Sequence, residues 1–194
     1  MFKFAYAALA LLVFFIAGAV LSLIFRLDWS IINSILHDKE ILFALKLSIS
    51  TSFLSLMLAA FIGIPAAWLM SHKSFPGKRF IDIMLDIPMV TPPLVVGIGL
   101  LMLLGQSGIV GKTAPFIADR LFSPQGVVIA QTYVASSILV RSAASAFISI
   151  DRKYIHSAYN LGLTPSKAFF LVEIPLVWRN LAGGGILAFA RCLG

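Results

Sequence analysis

Charge is what this 194-residue sequence has least of: 12% of its residues are charged, against 60% that are hydrophobic. A soluble domain usually carries about 25% charged residues. A water-facing surface of ordinary size is therefore excluded, and the solvent of this chain is largely lipid. Cysteine is nearly absent. Cys192 stands alone, which rules out an internal disulfide framework. Histidine is scarce as well. His37, His72 and His156 lie far apart, a spacing unlike that of a metal cluster, and each reads as a loop histidine. Acidic residues number 8 against 15 basic ones, for a net charge of +7. Such an excess can point to nucleic acid or to an anionic membrane face. Here the basic residues sit in short loops between apolar runs, with no nucleic-acid-binding motif, so membrane lipid is the expected partner and nucleic acid is not.

What is abundant is apolar length. The first run covers residues 4–25. It exceeds the roughly 7–15 residues of a signal-peptide core and meets the roughly 20 that a spanning helix needs. It reads as a retained helix, although Ala17, Gly18 and Ala19 leave a cleavage site conceivable. A second run, 47–70, contains Pro65 and has Lys46 at its outer end. A short polar loop, 72–79, carries the turn signal Pro76-Gly77. The third run, 80–104, has Asp82 and Asp86 in its first two turns, where they complement a helix dipole, with Lys78 four residues before Asp82. Residues 105–123 read as a loop or re-entrant segment, and a fourth run covers 124–147, with Arg141 near its end.

A hydrophilic stretch, 149–179, separates this from a fifth run that begins at Leu181 and stops at Gly194. Fourteen residues are too few to cross a bilayer. The expectation is an all-α, polytopic transmembrane helical bundle whose fifth helix is truncated and whose sixth is missing. Residues 1–40 form an N-terminal helix and outer loop, and 41–194 form the main transmembrane domain. Loop charge sets orientation. With the N-terminus inside, the cytoplasmic side holds Lys3, Lys73, Lys78, Arg79, Arg141, Arg152, Lys153, Lys167 and Arg179. The outside holds Arg26, Lys39, Lys46, Lys112 and Arg120. Nine against five favours an inside N-terminus and a cytoplasmic 149–179 stretch.

One motif is a decoy. Residues 106–113 read QSGIVGKT, close to the phosphate loop G-x-x-x-x-G-K-[ST], but Gln106 stands at the first glycine. The segment also follows an apolar helix rather than a strand and is expected to face outward. No cofactor is expected on this chain. ATP and magnesium, if the process uses them, belong to another chain, and no enzymatic activity is expected here.

Two segments carry function. In the third run, Pro88, Pro92 and Pro93 fall within six residues of an apolar span. Each lacks an N–H and clashes with the preceding turn. Broken helix at membrane depth is tolerated only where it is buried in protein or lines a watery cavity. The functional reading is a translocation path or gate; the structural one is a kink that helps packing. In the 149–179 stretch, residues 149–161 can form a short helix with Gly162 beyond its end. Thr164 can cap a second helix with Pro165 at its first position, continuing through 167–171 until Pro175 ends it. An elbow of this kind wants a partner groove, or it lies on the membrane.

At these residues the chain resembles the permeases of ABC importers. Their EAA loop runs E-A-A, three residues, Gly, nine residues, I-x-L-P. Ala158, Gly162, Val172, Ile174 and Pro175 fall on the second alanine, the glycine, the isoleucine, the leucine and the proline. His156 stands in place of the usual glutamate and Ser157 in place of the first alanine. The stretches 86–97, 104–111, 140–143 and 187–194 are also similar to permeases of the molybdate, tungstate and sulfate group, most to the molybdate/tungstate branch, across residues 41–194.

The resemblance implies a type I ABC importer permease in the cell inner membrane. Two copies would form the pathway, two cytoplasmic ABC ATPase subunits would dock on the two elbows, and an extracytoplasmic binding protein would deliver a tetrahedral oxyanion, molybdate first, with tungstate or sulfate as alternatives. The coupling loop, 149–178, would seat His156, Ser157, Ala158, Tyr159, Asn160, Leu161 and Gly162, with Thr164 and Pro175 shaping it. The path would be lined by Thr91, Pro92 and Pro93, by Ser136 and Ser137, and by Arg191, an arginine inside a span. Arg191 can instead pair with an acid or support packing. Arg141 is expected to snorkel to the cytoplasmic interface, and Gly183, Gly184 and Gly185 to permit close helix approach. Two other classes stay in view: a membrane enzyme, which would need clustered His, Asp, Glu or Ser in the span, and a non-transporting scaffold.

Overall fold

A computed structural model describes residues 2–25, 35 and 37–194, without the side chains of residues 2 and 3. Arg26 and most of the expected first outer loop lie outside the described residues. The chain divides into two units, 1–46 and 47–194. Among the described residues every regular element is helical, and five stretches are long and apolar enough to cross a membrane.

The first unit holds α1 (Phe2–Ile24) and the first turns of α2 (Lys39–His72). Large apolar side chains on every face of α1 are exposed, Phe4, Phe14, Phe15 and Leu11 among them. A helix apolar all round is at home in hydrocarbon, where its backbone groups are satisfied internally. Asp38 starts α2 by accepting from the backbone N–H of Glu40 at 2.9 Å, the usual work of an acidic N-cap.

In the second unit the long helix α7 (Pro124–Ile148) is the pillar against which α2, α3 (Lys78–Val90) and α10 (Ile174–Leu193) pack. Ser123 caps it and Pro124 opens it. The face that α2 buries reads Ser52, Ser55, Ala59, Gly63, Ala67, a row of small residues recurring about every helical turn. Lipid is as apolar as leucine, so helices in it associate through close backbone approach rather than hydrophobic exclusion. The close fit is tangible at Gly63, where an added Cβ would meet Val140 Cγ2 at 3.2 Å. On α10, Gly184 is buried and an added Cβ would collide with Ser142 of α7, whereas Gly183 and Gly185 have open space. The expected close approach thus belongs to one of the three glycines.

Polar side chains stitch the helices together. Gln131 of α7 donates to the Cys192 carbonyl of α10 at 2.9 Å and accepts from the Ser55 hydroxyl of α2 at 3.0 Å. Two apolar clusters lie along α7, one around Ala59, Ala135, Leu139 and Ala188, the other around Ala67, Val140, Ala143, Phe147, Ile155 and Phe169.

The third apolar run breaks where its prolines predict. After α3 the chain is extended at Thr91 (φ −73°, ψ 131°) and Pro92 (φ −56°, ψ 141°), and α4 (Pro93–Leu104) resumes. The segment expected as a loop or re-entrant segment holds two short helices, α5 (Ile109–Thr113) and α6 (Pro115–Ala118). The phosphate-loop decoy therefore follows a helix, α4.

The fifth span differs from its sequence-based outline. It does not begin at Leu181. Helical backbone runs from α9 (Pro165–Ala168) through a π-helical turn (Phe169–Glu173) into α10, and residues Pro165–Leu193 together are long enough to cross a bilayer. Pro175 consequently does not end a helix but sits in the first turn of α10. The wider turn is what makes room: Ile174 N–H donates to Phe169 O, five residues back, so the proline ring enters a helix whose preceding turn is already opened.

Candidate functional site

The elbow is built by its caps. Asp151 accepts from the backbone N–H of Lys153 at 3.0 Å and starts α8 (Arg152–Asn160), a helix shorter than the 149–161 expected because Ser149 still caps α7. Lys153 Nζ folds back onto the same carboxylate at 2.7 Å. That side-chain hydrogen bond, with the backbone one behind it, holds Asp151 below the ordinary aspartate value and raises Lys153 above the ordinary lysine value. At the far end, Leu163 N–H donates to Ala158 O at 3.1 Å and Gly162 N–H to Tyr159 O at 2.9 Å. These are the two bonds of a Schellman motif, with Gly162 left-handed at φ 83° in the position such a motif reserves for glycine. Thr164 holds the N-cap position before Pro165 and its carbonyl accepts from Ala168 N–H at 2.9 Å, but its hydroxyl makes no capping hydrogen bond, so the second cap is a backbone one.

Two residues of α8 are buried, Ile155 in the cluster around Phe147 and Phe169 and Ala158 beside it on the same helix face. That anchoring leaves the opposite face outward: His156, Ser157, Tyr159 and Asn160 are exposed, and Leu161 is 81% exposed. Eight of the nine predicted elbow residues thus lie on one continuous corner. Pro175 lies apart, beyond the π turn. A cavity of about 220 Å³ opens beside the corner, lined by Ser71, His72, Phe147, Arg152, His156 and Tyr159 among others.

The path residues are not drawn together in the same way. Thr91 donates its hydroxyl to Ile87 O at 2.6 Å and faces a cavity of about 270 Å³ with Val95, Gly99 and Tyr133. Pro92 and Pro93 supply no N–H to the carbonyls of Pro88 and Met89, which are freed at this break. Ser136 turns its hydroxyl back to Tyr133 O at 2.9 Å, and Ser137 is buried. Arg191 is half-buried on α10, and among the described residues no carboxylate lies within 4.0 Å of it. The lining of the cavity beside Thr91 includes none of these last three.

Arg141 has partners that the sequence reading did not name. Its guanidinium reaches across to α3, where Nε and one Nη each lie 2.5 Å from an Asp86 oxygen, and the same Nη donates to the Asp82 carbonyl at 2.8 Å. Its other Nη is 3.4 Å from the Asp82 carboxylate. The two aspartates therefore face an arginine in addition to any dipole role. Lys78 is turned from Asp82 as well, donating instead to Lys73 O at 3.2 Å.

Sequence reasoning passed over Glu173. Its carboxylate is fully buried, accepts from the Trp68 indole N–H at 3.0 and 3.1 Å, and lies 3.1 Å from His72 Nε2. His72 is accordingly not a loop residue; it stacks on Trp68 with ring centroids 4.9 Å apart. The available signal was an acid inside the apolar string 169–177, combined with Trp68 and His72 four residues apart on one helix face.

Residues 59–194 match the family described as the binding-protein-dependent transport system inner membrane component. The chain is 35% identical over 153 residues to the molybdenum transport system permease protein ModB of Escherichia coli strain K12, an overlap of 78% of this chain and 67% of that protein. It is 32% identical over 194 residues to the molybdate/tungstate transport system permease protein WtpB of Pyrococcus furiosus, covering 98% of this chain and 73% of that one. The protein of the same name in Pyrococcus abyssi is 29% identical over 190 residues, covering 98% and 69%.

Proposed function

Since this chain belongs to the binding-protein-dependent transport system inner membrane components, we propose that it forms the membrane pathway of an ATP-driven importer for a tetrahedral oxyanion, molybdate first. Tungstate is the second reading, because relatives of this chain are named molybdate/tungstate permeases. The observation that carries the proposal is the elbow: a capped helix, a left-handed glycine and an outward corner ending in Leu161, placed between two spans. A cytoplasmic ABC ATPase seats on residues 156–162. ATP and magnesium are held there and not on this chain. A second copy of the permease completes the pathway, and an extracytoplasmic binding protein supplies the anion.

The geometry suits this work. Ile155 roots α8 in the apolar cluster, so a push on its outer face moves the cluster as one body. α10 is covalently continuous with the elbow through the π turn and receives the same push. The break at Thr91–Pro93 is the part of the path free to change shape, with Ser136, Ser137 and Arg191 as further path residues. The N-terminus and the elbow share the cytoplasmic side, in keeping with the excess of lysine and arginine there.

The test is uptake of radiolabelled molybdate by proteoliposomes holding this permease, its ATPase and its binding protein, with unlabelled tungstate or sulfate as competitor. ATP-dependent molybdate uptake blocked by tungstate is expected. Uptake that ignores molybdate and tungstate but proceeds with sulfate would overturn the substrate assignment.

A further inference from the structure

Glu173 is an acid that neither the elbow's outer face nor the path uses, and its setting is costly. A carboxylate with no exposed surface persists only when hydrogen bonds and a counter-charge replace water. Both are present. The Trp68 indole N–H reaches both carboxylate oxygens, and His72 Nε2 meets one of them.

The second imidazole nitrogen is held as well. His72 Nδ1 lies 3.1 Å from Trp68 O and 2.8 Å from Ser71 Oγ, so it has an acceptor for a hydrogen in one tautomer and a hydroxyl donor in the other. In the first, Ser71 Oγ itself donates to Trp68 O at 2.8 Å. In both, the contact between Nε2 and the Glu173 carboxylate holds one proton, whichever atom carries it. The result is a charge-assisted clasp between the last turn of α2 and the last residue of the π turn. Trp68 stacks on His72, and Phe169, also in the π turn, closes edge-on against Trp68 at 5.8 Å.

The position of this clasp gives it a consequence. α10 follows the elbow because the backbone is continuous, but α2 has no covalent link to it. The π turn is the joint between elbow and span, and Glu173 is the residue by which that joint grips α2. We propose that Glu173, with His72 and Trp68, is a positioning cluster for coupling: it makes α2 move with the elbow, so that ATPase motion reaches both walls packed on α7. This rests on the reading of the elbow as the ATPase seat.

The experiment uses the full transporter in proteoliposomes and reads molybdate taken up per ATP hydrolysed, with co-purification of the ATPase as control. Glu173→Gln keeps the clasp, since its amide oxygen accepts from Trp68 and its amide N–H donates to neutral Nε2; uptake per ATP stays within about twofold of wild type, a small loss on the scale of coupling effects. Glu173→Leu cuts the clasp, and uptake per ATP falls at least about fivefold while the ATPase still co-purifies, the lower end of ordinary site-to-site coupling. The triple variant Glu173→Leu, His72→Leu, Trp68→Phe fills the site with apolar groups, a replacement that buried ion pairs often tolerate in stability. It carries the test should Glu173→Leu alone fail to assemble, and the same loss is expected. Wild-type uptake per ATP in an assembled leucine variant overturns the proposal. Failure of the docking reading looks different: the ATPase then co-purifies with Leu161→Asp as well as with wild type.

Discussion

A substitution series at Gly162 separates two ways in which the elbow could fail. Gly162 sits at φ 83°, with no atom within 4 Å of the place where a Cβ would stand. Within this chain, therefore, a side chain at 162 costs conformational energy rather than space. An L-residue in the left-handed region costs roughly 1–2 kcal/mol, asparagine less, and β-branched residues the most. Refusing that conformation also forfeits the bonds of Leu163 N–H to Ala158 O and Gly162 N–H to Tyr159 O, each worth about 1 kcal/mol. A penalty of 1–2 kcal/mol shifts the population of intact elbow by roughly 5- to 30-fold. Binding-protein-stimulated ATP hydrolysis and molybdate uptake, measured together, should decline in the order Gly, Asn, Ala, Val. Side-chain volume predicts another order, because asparagine is larger than alanine. Should alanine retain more coupled transport than asparagine, steric seating in the ATPase groove governs position 162, and the backbone argument is wrong.

Two further predictions rest on the helix contacts. Gly184→Leu should force α7 and α10 apart at Ser142 and cost about 1–3 kcal/mol, the usual range for overpacking, whereas Gly183→Ala and Gly185→Ala should leave the thermal midpoint of the detergent-purified protein nearly unchanged. Arg141→Lys should fail to replace arginine, since a lysine cannot make the paired contact to Asp86. In a double-mutant cycle of Arg141→Met with Asp86→Leu, thermal unfolding should give a coupling of at least about 0.5 kcal/mol, and strict additivity would mean the pair does no work.

Features decided by local chemistry were legible before any coordinates. The break after Thr91 follows from adjacent prolines, and the left-handed turn at Gly162 follows from a glycine placed after a short amphipathic helix. The elbow residues fell together for the same reason: eight of them are contiguous or nearly so. The pairing of Arg141 was missed because snorkelling is a statement about one residue, while its partners, Asp82 and Asp86, come from another helix. Their spacing of four placed them on one face, which was a sign of a shared cation as much as of a dipole. The start of the fifth span was misread for a different reason. A proline normally stops an α-helix, and nothing local announces that a π turn will open the backbone ahead of it. Glu173 was lost in the same place, since its meaning depends on Trp68 and His72 about a hundred residues earlier. The path residues remain the least gathered, because Ser136, Ser137 and Arg191 are spread over two helices while the cavity beside Thr91 is closed by Tyr133.

The π turn also sets a phase. Each residue of an α-helix advances the chain by about 100° around the axis and 1.5 Å along it. A turn with i→i+5 bonds houses one residue more than its α-helical counterpart, so Phe169–Glu173 absorbs that increment and keeps the upstream segment in phase with α10. Removing a single residue between Pro165 and Pro175 would let the turn close into regular α geometry with Leu161 near its present bearing relative to Gly184 and Arg191, whereas a second deletion, with no wide turn left to absorb it, would swing Leu161 by about 100°. The connection from elbow to span is thus a timing element. Insertions and deletions, commonplace in surface loops, should be tolerated in the 73–77 turn far more readily than here.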